Sequence, residues 1–193
     1  LTAVNPNSTL IPVTRVSGVT TVLTKPTGGL FPGTASVINL HGYTPQQMHT
    51  GVDIMMMNFP SSGRRGRRDR RNDEDIKKAL EKSQKAINTA WEQAIAYHKV
   101  DSAAKKMGKP SNTSYNPEME ALAKVVRGDM KLFIEVNKKD DILAAIKWVK
   151  DKNIDVVFTG VTDGWRAAKA IAEAGIPVVT GPVQAIPGRA SDR

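Results

Sequence analysis

The sequence predicts an α/β fold, a single domain assembled from parallel βα units, and three observations carry that expectation. From residue 131 onward short apolar or β-branched runs alternate with helical stretches, at 131–136, 140–152, 155–160, 164–174 and 177–180. Strands separated by helices of about a dozen residues are joined by right-handed crossovers and so lie parallel in one sheet. Residues 52–57 form an apolar run interrupted only by Asp53, the length and character of a strand buried on both faces. Finally, a chain of 193 residues, 40% hydrophobic and 24% charged, is long enough for one substantial core. Periodicity leaves open whether the sheet stays open or closes into a barrel.

Element by element, Leu10-Ile11-Pro12-Val13 has helical character, Gly18 stops it, and residues 19–25 read as a strand. Pro26-Thr27-Gly28-Gly29 and Pro32-Gly33 break the chain before a second strand at 35–40, which ends at His41-Gly42. The run at 52–57 stops at Asn58-Phe59-Pro60. Asp73 can then cap a long helix reaching His98, since Ile76, Leu80, Ile87, Trp91 and Ile95 recur at spacings of four or seven. A polar connection at 108–114 leads to Pro117, suited to the first position of a helix over 117–126. Gly175 supplies the stop of the helix at 164–174.

Composition excludes several function classes. With no cysteine there is no disulfide, no thiolate nucleophile and no cysteine-built zinc site. No run approaches the roughly 18 apolar residues of a membrane span, and the N-terminal residues have neither the basic nor the apolar region of a secretory signal. Nothing assigns a compartment. The first residue is Leu1 rather than Met, and the chain stops at Arg193 just after a strand and a Pro/Gly turn, so both ends read as cuts. The net charge of +9 suggests a polyanion partner until it is located: six arginines fall between Arg64 and Arg71, and without them the excess is +3. That stretch, 61–73, reads as an Arg-rich flexible loop, with contact to polyanions as the sharper alternative. No aromatic residue interleaves the arginines, so the stacking element of single-strand binders is absent and nucleic acid is the weaker reading. There is no serine hydrolase elbow, Walker loop or His-Glu-x-x-His, and the turn Thr27-Gly28-Gly29-Leu30-Phe31-Pro32-Gly33 is better read as a tight structural loop than as an anion cradle.

Three stretches, in this order and at these spacings, resemble the imidazolonepropionase-related branch of the amidohydrolase superfamily. They are Gly18-Val19-Thr20-Thr21-Val22 through Pro26, Gly28-Gly29 and Gly33 to His41-Gly42; Ile134-Glu135-Val136-Asn137-Lys138-Lys139-Asp140-Asp141-Ile142; and Val156-Val157-Phe158-Thr159-Gly160 through Trp165 to Gly175-Ile176-Pro177-Val178-Val179-Thr180-Gly181-Pro182. The resemblance implies a partial TIM-type (β/α)8 barrel of the metal-dependent hydrolase kind, with its reaction face at the C-terminal strand ends and a metal-activated water attacking a C–N bond. It also implies that the chain carries about the second to the seventh strand, leaving the family's His-x-His and its late Asp outside this sequence.

Carried over position by position, the resemblance places Asn58 where relatives have a ligand Glu, Glu135 where they have His, with Asn137 two residues later, and Gly160 where they have another His. An amide is a poor ligand for zinc and a glycine offers no side chain, so no metal is assigned to residues of this chain, and zinc is expected only with ligands from outside it. By position, Glu135 and Asn137 are catalytic candidates, and Asn58, Gly160 and Trp165 are substrate-binding candidates. Glu135 reads equally as a strand-end carboxylate paired with a nearby lysine. His41 joins the catalytic candidates because a His-Gly turn follows a strand, although a loop histidine without a role is the better reading; His49 and His98 read as exposed and lack a partner at ligand spacing. Two functions follow: a hydrolase acting on non-peptide or peptide-like C–N bonds with an altered or lost metal site, or a catalytically inactive barrel acting as a binding or partner subunit. The partners expected are a small-molecule substrate or the remainder of the barrel, with homo-oligomerisation through the open sheet edges.

Overall fold

The computed structural model describes residues 4–63, 70–108 and 116–181. Twelve elements follow in order: α1 (Leu10–Val16), β1 (Thr21–Thr24), β2 (Gly33–Asn39), α2 (Pro45–Met48), β3 (His49–Asn58), α3 (Asp73–Lys106), α4 (Pro117–Arg127), β4 (Lys131–Val136), α5 (Lys139–Lys152), β5 (Val156–Gly160), α6 (Gly164–Ala174) and β6 (Val178–Thr180). The strands form one six-stranded sheet in sequence order, curled like half of a barrel. None of the helices described is long and apolar enough to cross a membrane.

The parallel βα expectation holds for β3 to β6 and fails at the start, where β1 pairs with β2 and β2 with β3 antiparallel. The physical reason lies in the connections. Between β1 and β2 there is only the proline and glycine loop, and between β2 and β3 only the single turn of α2; neither can carry the chain back across the sheet as a parallel crossover must. The sheet is therefore mixed.

Helix ends follow local capping chemistry. Asn72, rather than Asp73, caps α3, its side-chain oxygen accepting from the Asp75 N–H at 2.6 Å. The helix runs eight residues past the predicted end at His98, to Lys106. Pro117 occupies the first turn of α4 and Gly175 takes the left-handed conformation (φ 64°) that closes α6. Of the Arg-rich loop, residues 64–69 lie outside the described residues, so its expected flexibility does too.

Alternation along the strands divides the core into two faces. Met55 and Met57 of β3, Leu132, Ile134 and Val136 of β4, and Val156 and Phe158 of β5 pack against Ile87, Trp91, Leu122, Ile142, Ala167 and Ile171 of the helices. Trp91 and Trp148 join α3 to α5 edge to face, with centroids 5.6 Å apart, and the Trp148 indole N–H donates to Asn88 Oδ1 at 2.9 Å. The other face carries a smaller layer, Ala35, Ile54, Met56 and half-buried Val37 and Phe133. All the helices of the parallel half thus lie behind the sheet, and the opposite, concave face is left open.

At the start of β3 the buried Ser36 hydroxyl donates to Asp53 Oδ1 at 2.5 Å, and His49 Nε2 lies 3.1 Å from the same oxygen. His49 is therefore half-buried and partnered rather than exposed, and His98, which sits 3.1 Å from Ser102 Oγ, is likewise half-buried. Burial alone would raise the Asp53 pKa, but the Ser36 hydroxyl and His49 outweigh it and hold the carboxyl below its ordinary value. A carboxyl depressed in the folded state stabilises the protein above its unfolded pKa of about 4, and that contribution is lost as pH falls through the folded value. The unfolding midpoint is expected to drop over that acid range, and Asp53→Asn to flatten the drop. Parallel acid-unfolding curves for the two proteins would remove Asp53 as the cause.

Candidate site at the strand ends

Four side chains stand in a row on the concave face at the C-terminal ends of the parallel strands. Asn58 of β3 is register partner to Glu135 of β4, Glu135 to Thr159 of β5, and Thr159 to Val179 of β6. Because Leu132, Ile134 and Val136 are buried against the helices, Glu135 must point to the opposite side, and register carries its neighbours with it. Strand β1 runs in the same direction as β3, so Lys25, just after it, reaches the same edge and places Nζ 2.5 Å from Glu135 Oε2. The reading of Glu135 as a strand-end carboxylate paired with a lysine is what the structure shows. Both side chains are more than a third exposed, so the pair orients the carboxylate more than it stabilises the fold.

Asn58 is largely committed to backbone. Its Nδ2 donates to the Gly29 carbonyl at 2.8 Å and its own N–H donates to the Leu30 carbonyl at 2.8 Å, which seats the glycine loop on the end of β3. A cleft of about 430 Å3 opens beside it, walled by Gly29, Leu30, Asn58, Pro60, Arg71 and Leu80. Next to it, the buried Asp141 carboxylate accepts from the Ser62 N–H at 2.8 Å and ties the segment after β3 to α5.

The structure brings Asn137 and Gly160 together. Gly160 has φ 83°, and a Cβ built there would lie 2.6 Å from Asn137 Oδ1. That oxygen accepts from the Thr162 hydroxyl at 3.0 Å, while the Asn137 carbonyl accepts from the Asp163 N–H at 2.8 Å. The amide of Asn137 thus fills the space a side chain at 160 would enter. The turn continues through buried Val161 at φ 48°, a strained value for a β-branched residue.

Two candidates stand apart. His41 follows β2, which runs antiparallel to β3, so it lies at the edge where β3 begins, opposite the edge of Glu135; it is exposed and does not join the row. Trp165 is at the correct edge, at the start of α6, but is 75% exposed, with the Arg166 guanidinium carbon 5.8 Å from its ring centroid.

Lys25 and Thr159 were missed from sequence. Thr159 could have been found from parity, since it sits one residue before Gly160 on the strand; Lys25 could not, because its partner is distant in sequence and only the antiparallel pairing of β1 brings it there. The Thr159 hydroxyl oxygen is buried and has no hydrogen-bond partner among the described residues. A buried hydroxyl in that state is unusual, and with almost no accessible surface it is a feature of the packing under the row rather than a donor offered to a ligand.

The donor set does not fit a divalent metal. Among the described residues no three His, Cys, Asp or Glu side chains converge to hold an ion. Glu135 faces an ammonium, the Asn58 amide nitrogen is bonded to Gly29, and Gly160 has no side chain.

No protein-family model matches the sequence, and no curated protein matches it. Among solved structures, the crystal structure of an amidohydrolase from Thermotoga maritima superposes with a TM-score of 0.78 at 23% identity, covering 98% of this chain and 49% of that one. This chain has an amidohydrolase-like fold and spans about half the length of that protein.

Proposed function

We propose that the chain is part of a TIM-type (β/α)8 barrel of the imidazolonepropionase-related amidohydrolase branch, and that it is hydrolase-like, directed at C–N bonds of non-peptide or peptide-like substrates, with its metal site altered or lost. The observation that carries this reading is the row of Asn58, Glu135 and Thr159 on the concave face at the C-terminal strand ends, the place where barrels of this kind hold their chemistry. In this reading Glu135 is the proton-transferring group, Asn137 positions the turn after β5, and Asn58, Gly160 and Trp165 border the substrate.

The filling of the Gly160 position by Asn137 favours a second reading, a barrel that no longer catalyses and serves as a binding or partner subunit. Both readings require the concave face to be completed by the remainder of a barrel or by a second copy, since among the described residues β1 and β6 each have a neighbour on one side only. Turnover assays on cyclic amides and peptide-like amides separate the two. For the hydrolase, Glu135→Ala is expected to lower kcat/KM by about a hundredfold or more. For the partner subunit, wild type shows no turnover and Glu135→Ala still forms the complex.

A further inference from the structure

We infer that Lys25 is a resident cation, occupying beside Glu135 the place a divalent ion would need, so that the mouth of the concave face meets its ligand with an ammonium donor rather than through a metal. The first support is geometric: Lys25 Nζ and Glu135 Oε2 are 2.5 Å apart, although the two residues lie in strands separated in the sheet by β2 and β3. Such a contact forms only because β1 returns parallel to β3 and delivers Lys25 to the reaction edge. The second support is that, among the described residues, no three His, Cys, Asp or Glu side chains come together to hold an ion, so nothing nearby offsets the ammonium in favour of a metal. A lysine offers three N–H donors, and Glu135 is the sole partner found for Lys25 among the described residues. Beyond its bond to Glu135 the ammonium therefore keeps N–H donors for an oxygen acceptor on a ligand.

Charge arithmetic explains why the lysine excludes metal. An ammonium held by the chain is present at an effective concentration in the millimolar range, and any divalent ion approaching Glu135 must displace it or accept its repulsion at close range. Asn58 and Gly160 provide no compensating anionic ligand. The inference rests on this geometry and is read by ion binding, whereas the hydrolase reading is tested by turnover, so one can fail without the other.

The experiment is Mn2+ titration of the full chain followed by water-proton relaxation, which registers weak association. Lys25→Met is expected to raise the Mn2+ association constant about tenfold over wild type, the scale of removing one partly exposed like charge. Lys25→Arg, which keeps the charge, should behave as wild type, and Lys25→Met combined with Glu135→Gln should lose the gain. No change in Lys25→Met would overturn the inference, as would a stoichiometric wild-type site abolished by Glu135→Gln. Should Lys25→Met not fold, Glu135→Gln alone decides: unchanged weak binding supports the resident lysine, and a fall in binding contradicts it.

Discussion

Phe158→Ala is expected to cost the protein about 3–5 kcal/mol, the range for truncating a fully enclosed aromatic residue. Phe158 is 0% exposed, lies opposite Ile134 in the sheet, and packs in the layer that holds α5 and α6 behind β4 and β5. Removing its ring opens a cavity under the strand that ends in Thr159 and Gly160, so the loss reaches the candidate site as well as the core. Urea unfolding should show a lower midpoint with an unchanged slope, since the transition remains cooperative and exposes the same surface. Phe158→Leu, which keeps most of the volume, should cost far less, about 1.5 kcal/mol or under. If the alanine variant loses less than about 1 kcal/mol, the helix layer is not packed against β5 as described.

The second large effect is expected where an obvious repair would be attempted. Placing histidine at 160, the residue type that the family resemblance expects there, should weaken the protein by about 1.5–3.5 kcal/mol and bring no zinc binding. Two costs combine. An L-residue at φ 83° leaves its preferred backbone region, at about 1–2 kcal/mol, and its Cβ would arrive 2.6 Å from Asn137 Oδ1, so the Asn137 amide must turn away and lose its bond from the Thr162 hydroxyl, at about 0.5–1.5 kcal/mol. Gly160→Ala should show most of this loss, because both costs arise at Cβ. Adding Asn137→Ala should return the steric part and leave the backbone part, a non-additivity that a double-mutant cycle reads directly. A Gly160→His variant as stable as wild type would mean that the turn after β5 relaxes freely and that Asn137 does not fill the position.

These expectations show where the sequence was readable. The strands and helices from Lys131 to Thr180 follow from apolar periodicity and stop residues, and the structure has them within a few residues of the sequence-based bounds. Those signals are local, so a single chain reports them. The N-terminal half was harder. Residues 49–51 precede the apolar run at 52–57 and still belong to β3, with His49 pairing to Ile38 of β2, and α2 is a single turn too short for a periodic pattern. Strand direction there was legible only from connection length: the nine residues between the strands at 19–25 and 35–40 are too few for a parallel crossover, a sign outweighed by the regular βα alternation after residue 131. His41 illustrates the consequence: a strand followed by histidine is a fair sign of a reaction edge in an all-parallel sheet, and an antiparallel β2 carries it to the other end.

By itself, then, the sequence determined which residues could form each element of the parallel half, that no cysteine chemistry is available, and that Asn58 brings only an amide, a poor zinc ligand, and Gly160 no side chain at all. These are properties of residue identity and short-range order. Only the tertiary structure decided that Lys25 faces Glu135, that Thr159 joins the same row, and that Asn137 occupies the space beside Gly160. Contacts of this kind depend on register and strand direction, and register is set by how the whole sheet buries its apolar face rather than by any residue taken with its neighbours in the chain.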